Sequence, residues 1–336
     1  MIETKNPVSS VRVTKSSRFH AVANAVGIYA VVIILAVIGC IVSREFFTPN
    51  NMINTIRGVA LLGIVAVGVA FGTYSGHYAD LSVPSIMALS GIALISAMHY
   101  GFAAGIAAAI AAGLAVGLLN GVVIGYLRVN PVIWTLAMGS ILDGVLRWAF
   151  SGKQIYPDAG NSTSRIFLSL YDYDLFGFLP LIVVVLLALV LIGAIVQKKT
   201  GFGAQLKLVG SSYPVAQMTG INVRKVVTSA FMISAFTAAI GGILLASLNK
   251  LGAPYLGKDY DFMAVTAVVV GGISLAGGRG SIPGVLGGVL VLGLLRNILT
   301  LLTVGTFTQD IIQGVIFIII VGASAYSLRK SGRDDS

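Results

Sequence analysis

The sequence predicts an all-α fold: a polytopic membrane bundle of about ten transmembrane helices with both termini cytoplasmic. Three observations carry that prediction. First, hydrophobic residues make up 57% of the 336 and charged residues 10%, with a mean hydropathy of +0.94. A soluble surface wants about a quarter or more of its positions charged, and 22 basic and 12 acidic side chains are too few to wet the outside of this chain. Second, the apolar residues fall in runs of about 20, the length that crosses a bilayer. Third, the basic residues collect on one side of those runs.

The runs are 19–43, 56–74, 81–99, 102–126, 129–150, 176–197, 226–248, 262–277, 283–303 and 308–328. The first is too long for a signal peptide's apolar region and lacks an Ala-x-Ala end before Arg44, so it reads as a retained helix. Lys5, Arg12, Lys15 and Arg18 precede it. Lys198, Lys199, Lys207, Arg224 and Lys225 follow the sixth run, and Arg329, Lys330 and Arg333 follow the last. An even count of ten puts these groups on one side, with Arg128 and Arg279, and that side is the cytoplasm. The opposite loops hold Asp158, Asp172, Asp174, Asp259 and Asp261. The plan is thus a cytoplasmic tail at 1–18, a single transmembrane domain at 19–328 and a second tail at 329–336. Within it, 151–175 is the largest outer segment and 198–225 the largest inner loop. The net charge of +10 follows from this placement and calls for no nucleic-acid partner.

In the fourth run Gly101, Gly105, Ala109, Gly113, Gly117, Gly121 and Gly125 recur every fourth residue. Small residues at that spacing let helix backbones approach closely in lipid. Each step of four advances the helix by about 400°, so the ridge drifts by about 40° per step and cannot face one straight partner. The sequence also carries a faint duplication. Gly76-x-x-x-Asp80 and Gly257-x-x-x-Asp261 each precede an apolar run, and Gly117-Leu-Leu-Asn120 is echoed by Gly293-Leu-Leu-Arg296-Asn297. A unit of five runs is odd, so its two copies would lie inverted in the membrane, as in many transporters.

Ionisable groups at membrane depth are costly and count as functional candidates. His77, Asp80 and Ser82 cluster between Gly76 and Pro84, where regular helix breaks. Such a break lies buried in protein or lines a cavity; the segment is either pathway lining or an ordinary inner turn. Asp143 and Arg147 are four apart and can pair on one helix face. Arg296 must face protein or water, or snorkel outward. Asn120 and Asn130 bracket the inner ends of the fourth and fifth runs, and Pro131 suits a first helical turn. The three histidines show no metal-ligand spacing. Single Cys40 cannot form an internal disulfide. No phosphate loop, nucleophile–base pair or acid pair is present, which argues against an ATPase or a hydrolase in this chain.

Four stretches, in order, resemble the membrane permease subunits of bacterial ATP-binding-cassette importers for ribose-type sugars. They are ADLSVPSIMALSG at 79–91, GLLNGVVIGYLRVNPVIWTLAMGS at 117–140, TGFGAQLKLVGSSYPVAQMTGINV at 200–223 and DYDFMAVTAVVVGGISLAGGRGSIPGVLGG at 259–288. The resemblance implies the ten-helix type-II importer fold in the bacterial inner membrane. It implies a periplasmic sugar-binding protein, a second permease chain (identical or paralogous) and cytoplasmic ATPase subunits. Those subunits use ATP and Mg, so this chain holds no cofactor of its own. It places the contact with the ATPase at Gly210, Ala216, Gly220 and Ile221, and the candidates for pathway lining are Asp80, Ser82, Asn120, Asn130 and Asp261. Residues Tyr213 to Met218 fit a short helix begun by Ser211 or Ser212 and by Pro214. The sequence departs from the family pattern at His77, Tyr78, Ala79, Pro84 and Asp143, which leaves the solute open. The competing expectation is a proton- or sodium-coupled carrier using Asp80, His77 and Asp143 as a relay.

Overall fold

The computed structural model describes residues 15–77, 79–158, 160 and 162–333. Most of the basic tail expected at 1–18, Tyr78 and residues 334–336 lie outside the described residues. In chain order the helices are α1 (Lys15–Val42), α2 (Pro49–Tyr74), α3 (Val83–Ala97, continued by a 3-10 turn at Met98–Tyr100), α4 (Phe102–Leu127), α5 (Pro131–Ala149), α6 (Ser162–Ser169), α7 (Leu181–Lys199), α8 (Gly201–Ser211), α9 (Tyr213–Met218), α10 (Val223–Asn249), α11 (Tyr260–Val270), α12 (Ile282–Leu301) and α13 (Thr306–Arg333). Between α6 and α7 two short strands, β1 (Asp174–Leu175) and β2 (Leu179–Pro180), pair antiparallel.

Among the described residues seven helices are long and apolar enough to cross a membrane: α2, α3 with its 3-10 turn, α4, α5, α7, α10 and α12. The helices α1, α11 and α13 carry shorter apolar stretches, Gly27–Val42, Tyr260–Val270 and Thr306–Ile319. The run expected at 262–277 is helical only to Val270. Its composition stays apolar, but Gly271 and Gly272 stop the helix, Gly272 with φ +86°. Residues 271–281 are a glycine-rich turn instead.

The core is built on α2 and α10, which pack against each other. Every residue from Val59 to Tyr74 of α2 is buried. The glycine ridge of α4 turns as its spacing predicts. Gly105 lies against the carbonyl of Leu94 in α3, and Gly113 lies between Ser90 of α3 and Ala239 of α10. Gly117, Gly121 and Gly125 lie against Ala235, Thr228 and Arg224 of α10. The ridge serves two neighbours in succession.

The packing partners repeat. α10 lies on α3 and α4 as α2 lies on α11 and α12; α3 meets α4 as α11 meets α12; α3 meets α5 as α11 meets α13. This exchange supports the duplication seen in the sequence, with α2 and α10 at the centre. Both α3 and α11 begin inside the bundle. Residues 250–259 descend along α3, with Gly252 against Ile92 and Gly257 against Pro84 and Met87, so α11 starts beside the start of α3. At the end of α10 next to Asn249, α6 is tied to α10: Ser247 Oγ donates to the Phe167 carbonyl at 2.6 Å and accepts from Tyr171 N at 3.0 Å. Arg57 of α2 pairs with Asp172 at 3.1 Å and with Asp174 of β1 at 2.8 Å.

Candidate functional site

After α2 the chain turns at Gly76 (φ +82°), and residues 79–82 lie back inside the bundle. There Asp80 is 1% exposed and Ser82 fully buried. Asp80 Oδ1 accepts from Ser82 N at 3.1 Å and from Ser82 Oγ at 2.6 Å; Oδ2 accepts from Ser234 Oγ of α10 at 3.0 Å. Asn120 Nδ2 of α4 donates to Ser82 Oγ at 2.8 Å, and its Oδ1 accepts from Trp134 Nε1 of α5 at 2.9 Å. Thr135 Oγ1 accepts from Leu81 N at 3.0 Å. The chain of bonds joins α10, α4 and α5 around the start of α3. Sequence reasoning missed Trp134, Thr135 and Ser234, which look like ordinary helix residues. Asp80, Ser82 and Asn120, expected as pathway lining, stand here in a buried hydrogen-bonded network, which is how buried polar groups are tolerated.

Asn130 and Asp261, also expected as pathway lining, stand at helix starts. Asn130 Oδ1 caps α5, accepting from Val132 N at 3.0 Å and Ile133 N at 3.3 Å. Asp261 sits half-buried in the first turn of α11. Asp143 and Arg147 form an exposed pair, 2.8 Å between Oδ2 and Nε. Arg296 Nη1 reaches Met263 Sδ at 3.4 Å, and Asn297 exchanges amide hydrogen bonds of 3.2 and 2.7 Å with Asn51 of α2. No cluster of three metal-ligating side chains occurs among the described residues.

At the end of the bundle where α2 finishes, three backbone segments meet. Gly278 N donates to the Tyr74 carbonyl at 2.8 Å, and Gly210 of α8 fits against both, because a Cβ there would run into the Tyr74 oxygen and stand 2.6 Å from Gly278 N. Beyond this contact comes α9, with Pro214 in its first turn. It ends in a Schellman motif: Gly220 N donates to the Gln217 carbonyl at 3.1 Å and Ile221 N to the Ala216 carbonyl at 3.2 Å, with Gly220 at φ +78°. Ala216 is fully buried, so its side chain faces the bundle rather than outward. Val215 and Met218, 45% and 87% exposed, face away from it. The guanidinium of Arg128, in the turn between α4 and α5, lies 5.2 Å from the centre of the Tyr213 ring. These residues, with His77 and Asn130, border a cavity of about 400 Å³.

Residues 51–321 match the family model described as the branched-chain amino acid transport system / permease component. The chain belongs to this family. The permease is 33% identical over 315 residues to the ribose import permease protein RbsC of Bacillus subtilis, covering 91% of this chain and 94% of that one. It is 33% identical over 304 residues to the L-arabinose transport system permease protein AraH of Escherichia coli, covering 87% and 89%. It is 28% identical over 359 residues to the xylose transport system permease protein XylH of Haemophilus influenzae, covering 90% and 96%. The permease is a multi-pass membrane transport subunit and not an enzyme.

Proposed function

We propose that this permease is the membrane-spanning subunit of an ATP-binding-cassette importer for a sugar or sugar-like solute. Its ten membrane segments, built on α1 to α5, α7 and α10 to α13, cross the bacterial inner membrane with both termini in the cytoplasm, the 11-residue α11 covering only part of the depth and residues 250–259 the rest. A periplasmic binding protein delivers the solute, a second permease chain completes the pathway, and cytoplasmic subunits hydrolyse ATP. The relatives named for ribose, arabinose and xylose support the solute class.

The observation that carries this reading is α9. It is a six-residue helix on the basic inner side, too short to stand alone in water. It is held to the bundle by Ala216, the Schellman turn and the Arg128–Tyr213 contact. Its exposed Val215, Gln217 and Met218 offer a small knob to an ATPase cleft. Motion of that knob passes to the α4–α5 turn through Arg128 and to the bundle wall through Gly210. Gly210 acts by fixing the loop on the bundle; Gly220 and Ile221 act by closing the knob.

The test is co-purification of the tagged chain in mild detergent, with mass spectrometry. An ATPase domain recovered at about one per permease chain is the expected result. The chain recovered alone, with vesicle uptake that persists without ATP and collapses under a protonophore, would overturn it in favour of a coupled carrier.

A further inference from the structure

The two halves share one plan and reach two outcomes. Setting Asp261 against Asp80 places Met263 against Ser82 and Thr266 against Ser85. The Gly-Leu-Leu echo places Arg296 against Asn120. The contacts obey that register: Asn120 reaches Ser82, and Arg296 reaches Met263. Setting the start of α13 against the start of α5 places Asp310 against Thr135 and Gly314 against Gly139.

In the first half α5 is closed onto the start of α3. Thr135 Oγ1 accepts from Leu81 N, and Ser85 Oγ donates to the Gly139 carbonyl, both at 3.0 Å. In the second half no side-chain hydrogen bond joins α11 to α13 among the described residues. A cavity of about 220 Å³ lies between them. Asp310, Gly314 and Thr266, the counterparts of the closing residues, line it, with Asp259 and Gln313.

Its polar groups are unspent. Asp259 and Asp310 form no ion pair among the described residues. Gln313 Nε2 is shielded from solvent and has no hydrogen-bond partner. Thr266 gives its proton to the Phe262 carbonyl at 2.7 Å and keeps its lone pairs. A carboxylate one turn into a membrane helix is costly against lipid, and Asp310 stands on the wall of this cavity. Phe262 and Phe317 add two apolar ring faces to the same walls. Carboxylate and amide-oxygen acceptors and apolar rings suit a neutral polyhydroxylated solute: hydroxyls donate to Asp310, Asp259 and the Gln313 amide oxygen, and C–H faces lie on the rings. The volume falls below the roughly 300–1,000 Å³ of pockets that enclose a drug-sized ligand, as fits a waypoint that must release its cargo.

We propose that the α11–α13 cavity is this chain's contact for the transported sugar or polyol, with Asp310 and Gln313 binding its hydroxyls. The inference rests on the permease reading above and adds to it the place and the residues of solute contact. A polar pair closed by protein in one half is opened to cargo in the other.

The test uses the whole importer, assembled with its ATPase and binding protein. In a Cys40→Ser background, Gly314→Cys is treated with a membrane-impermeant methanethiosulfonate. A Cβ at Gly314 meets nothing within 4 Å, so the substitution needs no repacking. Rapid modification is expected, and an unreactive cysteine overturns the proposal. In parallel, Asp310→Asn is assayed with labelled D-ribose, L-arabinose and D-xylose. Uptake of whichever pentose the wild type carries should fall at least tenfold, with basal ATP hydrolysis and co-purification retained and partial rescue by Asp310→Glu. Unchanged uptake in Asp310→Asn overturns the proposal while the permease reading stands; wild-type uptake without ATP is the separate failure of that reading. If the wild type carries none of the three, the cysteine result alone decides.

Discussion

Ser234 in the middle of α10 donates a 3.0 Å hydrogen bond to Asp80, which precedes α3 by two residues of chain. The bond fixes the depth at which α3 begins. Asp80→Ala strips the acceptor from Ser82 N, Ser82 Oγ and Ser234 Oγ at once. Each buried group left unpaired costs about 1–3 kcal/mol, so we expect a loss of about 3 kcal/mol or more. Ser234→Ala removes one bond and should cost about 1–2 kcal/mol. Thermal unfolding of the purified chain in detergent measures both; equal, small shifts would dissolve the network as a structural unit.

Gly210→Ala should damage transport without reaching any solute. The added methyl meets the backbone of Tyr74 and Gly278, which cannot swing aside as a side chain could. Overpacking of this kind costs about 1–3 kcal/mol, and it displaces the loop that carries α9. Reduced ATP-driven uptake, with normal membrane insertion by fractionation, is the expected result.

At Gly220 the backbone conformation sets the outcome. A left-handed residue with a side chain costs about 1–2 kcal/mol, and Asn tolerates that region better than most. Gly220→Val should lower ATP-coupled uptake at least tenfold. Gly220→Asn should keep much of it. If the two variants transport alike, the turn does not govern coupling.

Arg57 ties the β1–β2 hairpin to α2. Its side chain is 12% exposed and meets two carboxylates. Arg57→Gln should cost about 1–3 kcal/mol, between the values for exposed and fully buried pairs. Protease protection of the segment around Asp172 and Asp174 should fall with it. Undiminished protection would show that Phe167 and Ser247 hold that segment without the ion pairs.

Much of this was legible in the sequence because lipid imposes strong constraints. Each apolar run contains a helix, though the one at 262–277 is helical only to Val270, and the α4 glycines turn about the axis as their spacing requires. The short helix at Tyr213–Met218 follows from Pro214 and Gly220. Other features are invisible to composition. Apolar residues continue past Val270 although the helix does not, since only a backbone angle at Gly272 marks the break. Asp80, Ser82 and Asn120 were recognisable as polar residues at depth. Their partners Ser234 and Trp134 stand on other helices, far along the chain, so sequence could not separate a satisfied network from a water-lined path. Asp259, two residues before the expected Asp261, borders a cavity together with Asp310 of α13, a pairing across the chain that no local spacing reveals.

The ridge on α4 also sets an order of events during synthesis. Its partner α10 lies beyond α5, α6 and α7 in the chain. At about 5–20 residues per second, the ribosome delivers α10 several seconds after α4 has entered the membrane. Through that interval Gly113, Gly117 and Gly121 have no α10 to pack against, and the first five helices lack the surface that seats them. The nascent chain is thus half a protein with an open seam, and arrival of α10 is the step that shuts it.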